Sequence, residues 1–261
     1  MKTRLVVWGL VLPAALLASS SWAATLSLAV QPMLANACSS ERYQGLVEYL
    51  SHRTGHQVML VTQADSREFR QALKHGEFDL VVATDRYISS GGYQDHLVPL
   101  AVTESRRNYQ LLIRADTNFS EPDDLIGHRI AGESAPSIAS TTFVQMYTNP
   151  VRQPEYQAAP SVDASLNQLR NRSADAALVP QVADDCTRNF RVLANTPVKF
   201  LVQVGSARHV EPAVQEEIQQ ALLNVGRDME GLRVLDETRF LGFSTLDSGA
   251  GSRTPHIFSM R

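Results

Sequence analysis

The sequence predicts an α/β protein built from two similar units, and two observations carry that prediction. A pattern occurs twice, at residues 73–83 (LKHGEFDLVVA) and 169–179 (LRNRSADAALV): a helix ends on Leu plus a basic residue, a polar turn follows, and an Asp opens a four-residue apolar strand. Such uninterrupted apolar runs suit strands buried on both faces of a parallel sheet, whereas a strand with one wet face would alternate.

The elements follow in order. Residues 26–30 form a short apolar strand, a loop covers 31–40, and Tyr43, Leu46, Val47 and Leu50 fall at helical spacing before Gly55 stops the helix. A strand at 58–61 leads to Asp65 and Glu68, a capping-type start for a helix that carries Phe69, Ala72 and Leu73 and stops at Gly76. The strand at 80–83 and another at 97–102 complete the first unit. The second begins with strands at 109–114 and 129–131 and a helix over about 137–147. A Pro-studded loop at 150–160 encloses a short strand at 155–158, and a helix with Val162, Leu166 and Leu169 on one face precedes the second copy of the pattern. A segment at 200–204 crosses back, and Pro212 starts a helix with Val214, Ile218, Ala221, Leu222 and Val225 that packs on the first unit. The tail from Asp247 carries weak structural signals.

Residues 1–23 read as an export signal: Lys2 and Arg4, an apolar run over 5–18, and Ser21-Trp22-Ala23 as the cleavage site. The remaining 238 residues hold 22 basic against 27 acidic side chains, a net charge of −5, with the basic residues dispersed among acidic ones. That argues against a nucleic-acid partner, which needs a concentrated basic surface. No later stretch is apolar enough to embed the protein in a membrane. Both cysteines, Cys38 and Cys186, would meet an oxidising compartment, either joined as a disulfide or as two separate thiols.

The catalytic vocabulary is sparse. There is no HExxH, CxxC, Walker loop or GxSxG elbow, so no cofactor or metal is expected. His52 and His56 have metal-like spacing, but Gly55 interrupts the helix between them, and solvated histidines are the better reading. Ligands of open α/β sheets sit beyond the carboxyl ends of strands, which directs attention to the loops. Gln31, Ser39, Ser40 and Tyr43 follow the first strand, Thr84, Asp85 and Tyr87 follow the first copy of the pattern, and Tyr109 opens the second unit. Glu133, Ser134, Ser137, Ser140, Thr141 and Thr142 follow the strand ending at Ala131. Hydroxyls and N–H groups at a helix start make an oxyanion site, or serve as N-caps alone. Asp85 would accept a hydrogen bond from a protonated oxyanion or an amine, or cap the next helix. Gln181 follows the second copy and differs from Thr84-Asp85 after the first, so these loops carry specificity.

Together these residues resemble the phosphate/phosphonate-type periplasmic substrate-binding proteins of ABC importers. The resemblance rests on Arg42-Tyr43 with Leu46, Tyr49-Leu50 and Thr54-Gly55, the GEFDLVVA run with Tyr87, the Tyr109 strand, Asp124-Leu125 and Gly127 before Arg129-Ile130-Ala131, and the run SADAALV. It implies a type II Venus-flytrap fold, two α/β lobes with a ligand cleft between them. Lobe 1 would comprise 24–104 plus 200–261 and lobe 2 105–199, with crossings near 103–109 and 196–200. By position it implies oxyanion contacts at Thr84, Asp85, Tyr87, Tyr109, Ser134 and Ser137, with Ser140, Thr141 and Gln181 beside them. The expected protein is a non-enzymatic periplasmic monomer that captures a small anion, phosphonate-like or another oxyanion, for an ABC permease. A periplasmic ligand or redox sensor serving a membrane histidine kinase is the first alternative, with Cys38 and Cys186 on different lobes as the redox pair. A small-molecule enzyme on the same fold is the second.

Overall fold

The structure is a computed structural model and describes residues 24–35, 40–63, 65–135, 137–181 and 184–246. Residues 1–23, expected to be an export signal, Cys38 and the tail from Asp247 lie outside the described residues.

The first half opens with β1 (Thr25–Val30), α1 (Gln44–Thr54) and β2 (Gln57–Val61), followed by α2 (Ser66–His75), β3 (Leu80–Thr84) and α3 (Asp85–Gly91). Gly55 and Gly76 end α1 and α2 in the left-handed conformation, where a side chain would be strained. Asp65 caps α2 by accepting from the N–H groups of Arg67 and Glu68 at 2.7 and 2.9 Å. The chain then runs through β4 (Leu97–Arg114), β5 (Arg129–Glu133), α4 (Ile138–Met146), β6 (Glu155–Ala159), α5 (Val162–Arg170), β7 (Ala176–Pro180) and α6 (Asp184–Thr187). It closes with β8 (Phe190–Ala207), α7 (Pro212–Leu223) and α8 (Met229–Thr238).

The eight strands among the described residues form one sheet in the order β2-β1-β3-β8-β4-β7-β5-β6. β1 pairs parallel with β2 and β3, and β5 pairs parallel with β6 and β7. Between these groups the 18-residue strands β4 and β8 run antiparallel to each other from Leu97↔Ala207 to Arg114↔Phe190. The separate strands expected at 97–102 and 109–114 are therefore one strand, and the crossing at 200–204 is part of another. The polar residues between them, such as Thr103, Ser105 and Arg107, are buried against neighbouring chain and do not break the ladder. The sequence also predicts no helix for α6 or α8, and α3 enters only as the helix that Asp85 would cap.

Each half of the sheet is covered on both faces. Alternate residues of β3 point to opposite cores, Leu80 and Val82 toward α1, α7 and α8, Val81 and Ala83 toward α2 and α3. β7 repeats this, with Ala176 and Leu178 facing α4 and Ala177 and Val179 facing α5. Both strands are buried at every position, as their apolar runs require. The recurrent Asp has the same task in each copy. Asp79 accepts from the Ser27 N–H and hydroxyl, both at 2.7 Å, and Asp175 accepts from the Arg129 N–H at 3.0 Å. Each carboxylate thus binds the start of the neighbouring parallel strand.

Candidate functional site

A cavity of about 530 Å³ opens where the parallel strands of the two halves end. One wall comes from the loops after β1 and β3 and from α2, the other from the end of β5 and the start of α4, and β8 crosses between them. This is where ligands sit in open α/β sheets.

The first wall is tied together by Gln31, whose side-chain oxygen accepts from the Thr84 N–H at 2.9 Å and the Thr84 hydroxyl at 3.2 Å. Thr84 in turn caps α3, accepting from the Tyr87 N–H at 3.3 Å. Tyr87 stacks on Tyr93 with ring centres 5.8 Å apart, and its hydroxyl donates to the Ser66 carbonyl at 3.4 Å. Burial pushes the Tyr87 phenol up to about 12, against a hydrogen bond with Arg70, so it stays a neutral donor. Burial also raises the carboxyl of Asp85.

The second wall depends on Gly132. A Cβ there would lie 2.5 Å from the Tyr156 hydroxyl, so only glycine lets Tyr156 cross β5 and donate to the Glu133 carbonyl at 2.6 Å. Ser137 caps α4 reciprocally with Ser140, each hydroxyl accepting the other's N–H at 3.0 Å. The Ser134 hydroxyl donates to the Ala159 carbonyl and the Thr141 hydroxyl to the Ser137 carbonyl, both at 3.0 Å. These hydroxyls brace the turn, and the N-terminal dipole of α4 adds positive potential at the cavity.

Glu133 is the buried acid of the site, 8 % exposed. Its carboxyl accepts from the Ser66 hydroxyl, on the opposite wall, at 3.3 Å. Burial pushes it up to about 7, and the bond from Ser66 opposes that rise.

Of the residues singled out in the sequence, Gln31, Thr84, Asp85, Tyr87, Glu133, Ser134, Ser137, Thr141 and Thr142 line this cavity together. Tyr109, Ser140 and Gln181 lie outside its lining. Tyr109 is 1 % exposed in the core beside β7 and β8, Ser140 is turned to its capping role, and Gln181 is exposed, with its carbonyl 3.4 Å from the Arg42 guanidinium. The sequence reading passed over Ser66, Arg70 and Lys74 of α2 and Lys199 of β8, which also line it. The first three recur every four residues and so share one stripe of α2, a signal that was present but indistinguishable from a solvated face. Lys199 reaches the site only through the path of β8.

His52 and His56 do not meet. His52 Nδ1 lies 2.9 Å from Glu230 and His56 Nε2 2.8 Å from Glu217, and no metal-holding cluster occurs among the described residues. His56 is buried rather than solvated, because its Nδ1 accepts the Ala24 N–H at 3.1 Å.

Residues 28–249 match the family described as ABC transporter, phosphonate, periplasmic substrate-binding protein. No curated protein matches significantly. Among solved structures, PhnD1 from Prochlorococcus marinus in complex with methylphosphonate is similar at 13 % identity and a TM-score of 0.63, over 86 % of this chain and 93 % of that one. A binding-protein component of an ABC phosphonate transporter from Pseudomonas aeruginosa aligns at 12 % identity and a TM-score of 0.64, over 87 % and 82 %. The periplasmic VFT2 domain of Bordetella pertussis BvgS aligns at 15 % identity and 0.58, over 82 % and 92 %. At these identities the likeness establishes the fold, that of type II periplasmic binding proteins.

Proposed function

Because this chain belongs to the periplasmic substrate-binding proteins of phosphonate ABC transporters, a non-enzymatic family, we propose that its cavity captures a small phosphonate-like oxyanion between two lobes for delivery to the permease. The observation that carries this reading is the make-up of the two walls. Arg70 and Lys74 of α2, Tyr87 of α3 and the first residues of α4 line one space from opposite sides. Ligand favours a closed form only through contacts with both walls. Lobe 1 comprises residues 24–104 plus 200–261 and lobe 2 residues 105–199. The separation of the apolar cores supports this division, with β1 to β3 in two clusters and β5 to β7 outside them.

Residues 1–23 act as the export signal, and the remaining chain works as a monomer. Among the described residues no helix is long and apolar enough to cross a membrane. Cys38 pairs with Cys186 in this reading. Its support is that the chain has two cysteines, that none among the described residues is a free thiol, and that Arg42 reaches the carbonyl of Gln181. Alkylation followed by mass measurement, with and without reduction, tests it, and two alkylated thiols before reduction would refute it.

The ligand is tested by thermal shift against methylphosphonate, phosphate, phosphite, sulfonates and sulfur oxyanions. A ligand bound only by the native state raises the melting temperature. A rise with methylphosphonate or phosphate is expected, and no rise with any anion would overturn the reading.

A further inference from the structure

We propose that Glu133 determines specificity at this site, making the cavity prefer oxyanions that can carry a proton, phosphonates and phosphate, over sulfonates and sulfate of the same shape. The inference rests on the cavity being the oxyanion site. A carboxylic acid inside an anion site demands an explanation, since an ionised carboxylate there repels the ligand. Glu133 is 8 % exposed, lies on the cavity wall, and accepts from the Ser66 hydroxyl at 3.3 Å. Its carboxyl points into the space between the walls and is not spent on the β5 ladder, which its backbone makes with β6.

The surroundings do not neutralise it. The groups that sense its charge are the phenols of Tyr87 from α3, Tyr109 from β4 and Tyr156 from β6. The same cavity holds the cations Arg70 and Lys74 of α2, Arg86 of α3 and Lys199 of β8, and a second acid, Asp85. Yet burial dominates at Glu133 and pushes its carboxyl up to about 7, opposed by the Ser66 bond rather than by a cation.

A close contact between Glu133 and a ligand oxygen therefore needs one proton between them. A phosphonate or phosphate near neutral pH carries a P–O–H and supplies it to an ionised Glu133. A sulfonate has no proton to give, so it fits only while Glu133 itself is protonated. Above pH 7 the fraction of protonated Glu133 falls tenfold per unit, and sulfonate affinity falls with it.

The test is calorimetric titration of the wild-type protein and Glu133→Gln with methylphosphonate and methanesulfonate at pH 6, 7, 8 and 9. In the wild type, methanesulfonate affinity falls by about tenfold per pH unit above about 7. At pH 8 the ratio of methylphosphonate to methanesulfonate affinity is about threefold greater in the wild type than in Glu133→Gln, whose amide donates to either anion, because part of the phosphonate has lost its own proton by then. Glu133→Asp retains the preference. An unchanged ratio in Glu133→Gln, or a pH-independent methanesulfonate affinity in the wild type, overturns the inference and leaves the oxyanion site standing. Failure of the wild type to bind either anion or phosphate at every pH overturns both.

Discussion

Ser66 and Glu133 meet across the cleft. The hydroxyl of the first residue of α2 stands 3.3 Å from a carboxyl oxygen of the last residue of β5, residues 67 positions apart in sequence. The bond stabilises charge on a carboxyl that burial otherwise keeps protonated. Ser66→Ala removes it, so the Glu133 carboxyl should titrate at higher pH than in the wild type. Carbon NMR of the side-chain carboxyl reads the midpoint directly, and an unmoved midpoint would mean that the hydroxyl does not donate to it.

Glu133 also makes stability depend on pH. Its carboxyl rises from an ordinary value of 4.5 to about 7 in the folded state, so the native protein holds a proton that the unfolded chain has released. The contribution is complete below pH 4.5 and is lost as pH rises through about 7, amounting to about 3 kcal/mol over that window. Urea unfolding at pH 5 and pH 8 should show this term, and Glu133→Gln should flatten it.

Asp79 works in the opposite sense. Burial pulls its carboxyl upward, but the bonds from Ser27 and His209 outweigh it and leave it below the usual value. Its stabilisation is present above the ordinary carboxylate range and disappears as pH falls through the folded value. Asp79→Ala should cost about 2 kcal/mol at neutral pH, the size expected for hydrogen bonds to a charged acceptor. Urea unfolding at pH 7 gives the difference.

Gly132→Ala places a methyl against the Tyr156 hydroxyl. Tyr156 must then give up its 2.6 Å bond to the Glu133 carbonyl, which loosens the end of β5. A loss of about 1 to 3 kcal/mol is expected from overpacking. Tyr156→Phe removes the bond but keeps the ring, so it should cost less in the same denaturation assay.

Arg70→Ala tests the cationic wall. Arg70 lines the cavity and hydrogen-bonds Tyr87, so its loss should weaken methylphosphonate binding by about tenfold. The residual binding should also respond less to added salt. Calorimetry at two ionic strengths measures both effects.

Local chemistry made much of the architecture legible in sequence. The apolar runs at 80–83 and 176–179 announced strands buried on both faces, Gly55 and Gly76 marked helix ends, and Asp65 marked a helix start. Those signals act within a few residues, so they survive without tertiary context. The Asp opening each repeated strand was visible as well, although its purpose, binding the first residues of the neighbouring strand, was not.

What only the tertiary structure decided was continuity and convergence. β4 and β8 run unbroken through polar stretches because each supplies the other's hydrogen-bond partners along 18 residues, a relation between segments about 90 positions apart. The cavity likewise joins a stripe of α2 to the end of β5; Glu133 stood out only by its place after a strand, and nothing local to Ser66 or Arg70 distinguishes them from solvated side chains. Burial of Glu133 depends on every wall at once, and so does the shift of its carboxyl. By itself the sequence determined the short buried strands, the stops of α1 and α2 and the two-unit plan, because these are short-range choices. Which polar residues face one another was decided by the fold, because desolvation and cross-cleft bonding exist only after the halves are assembled.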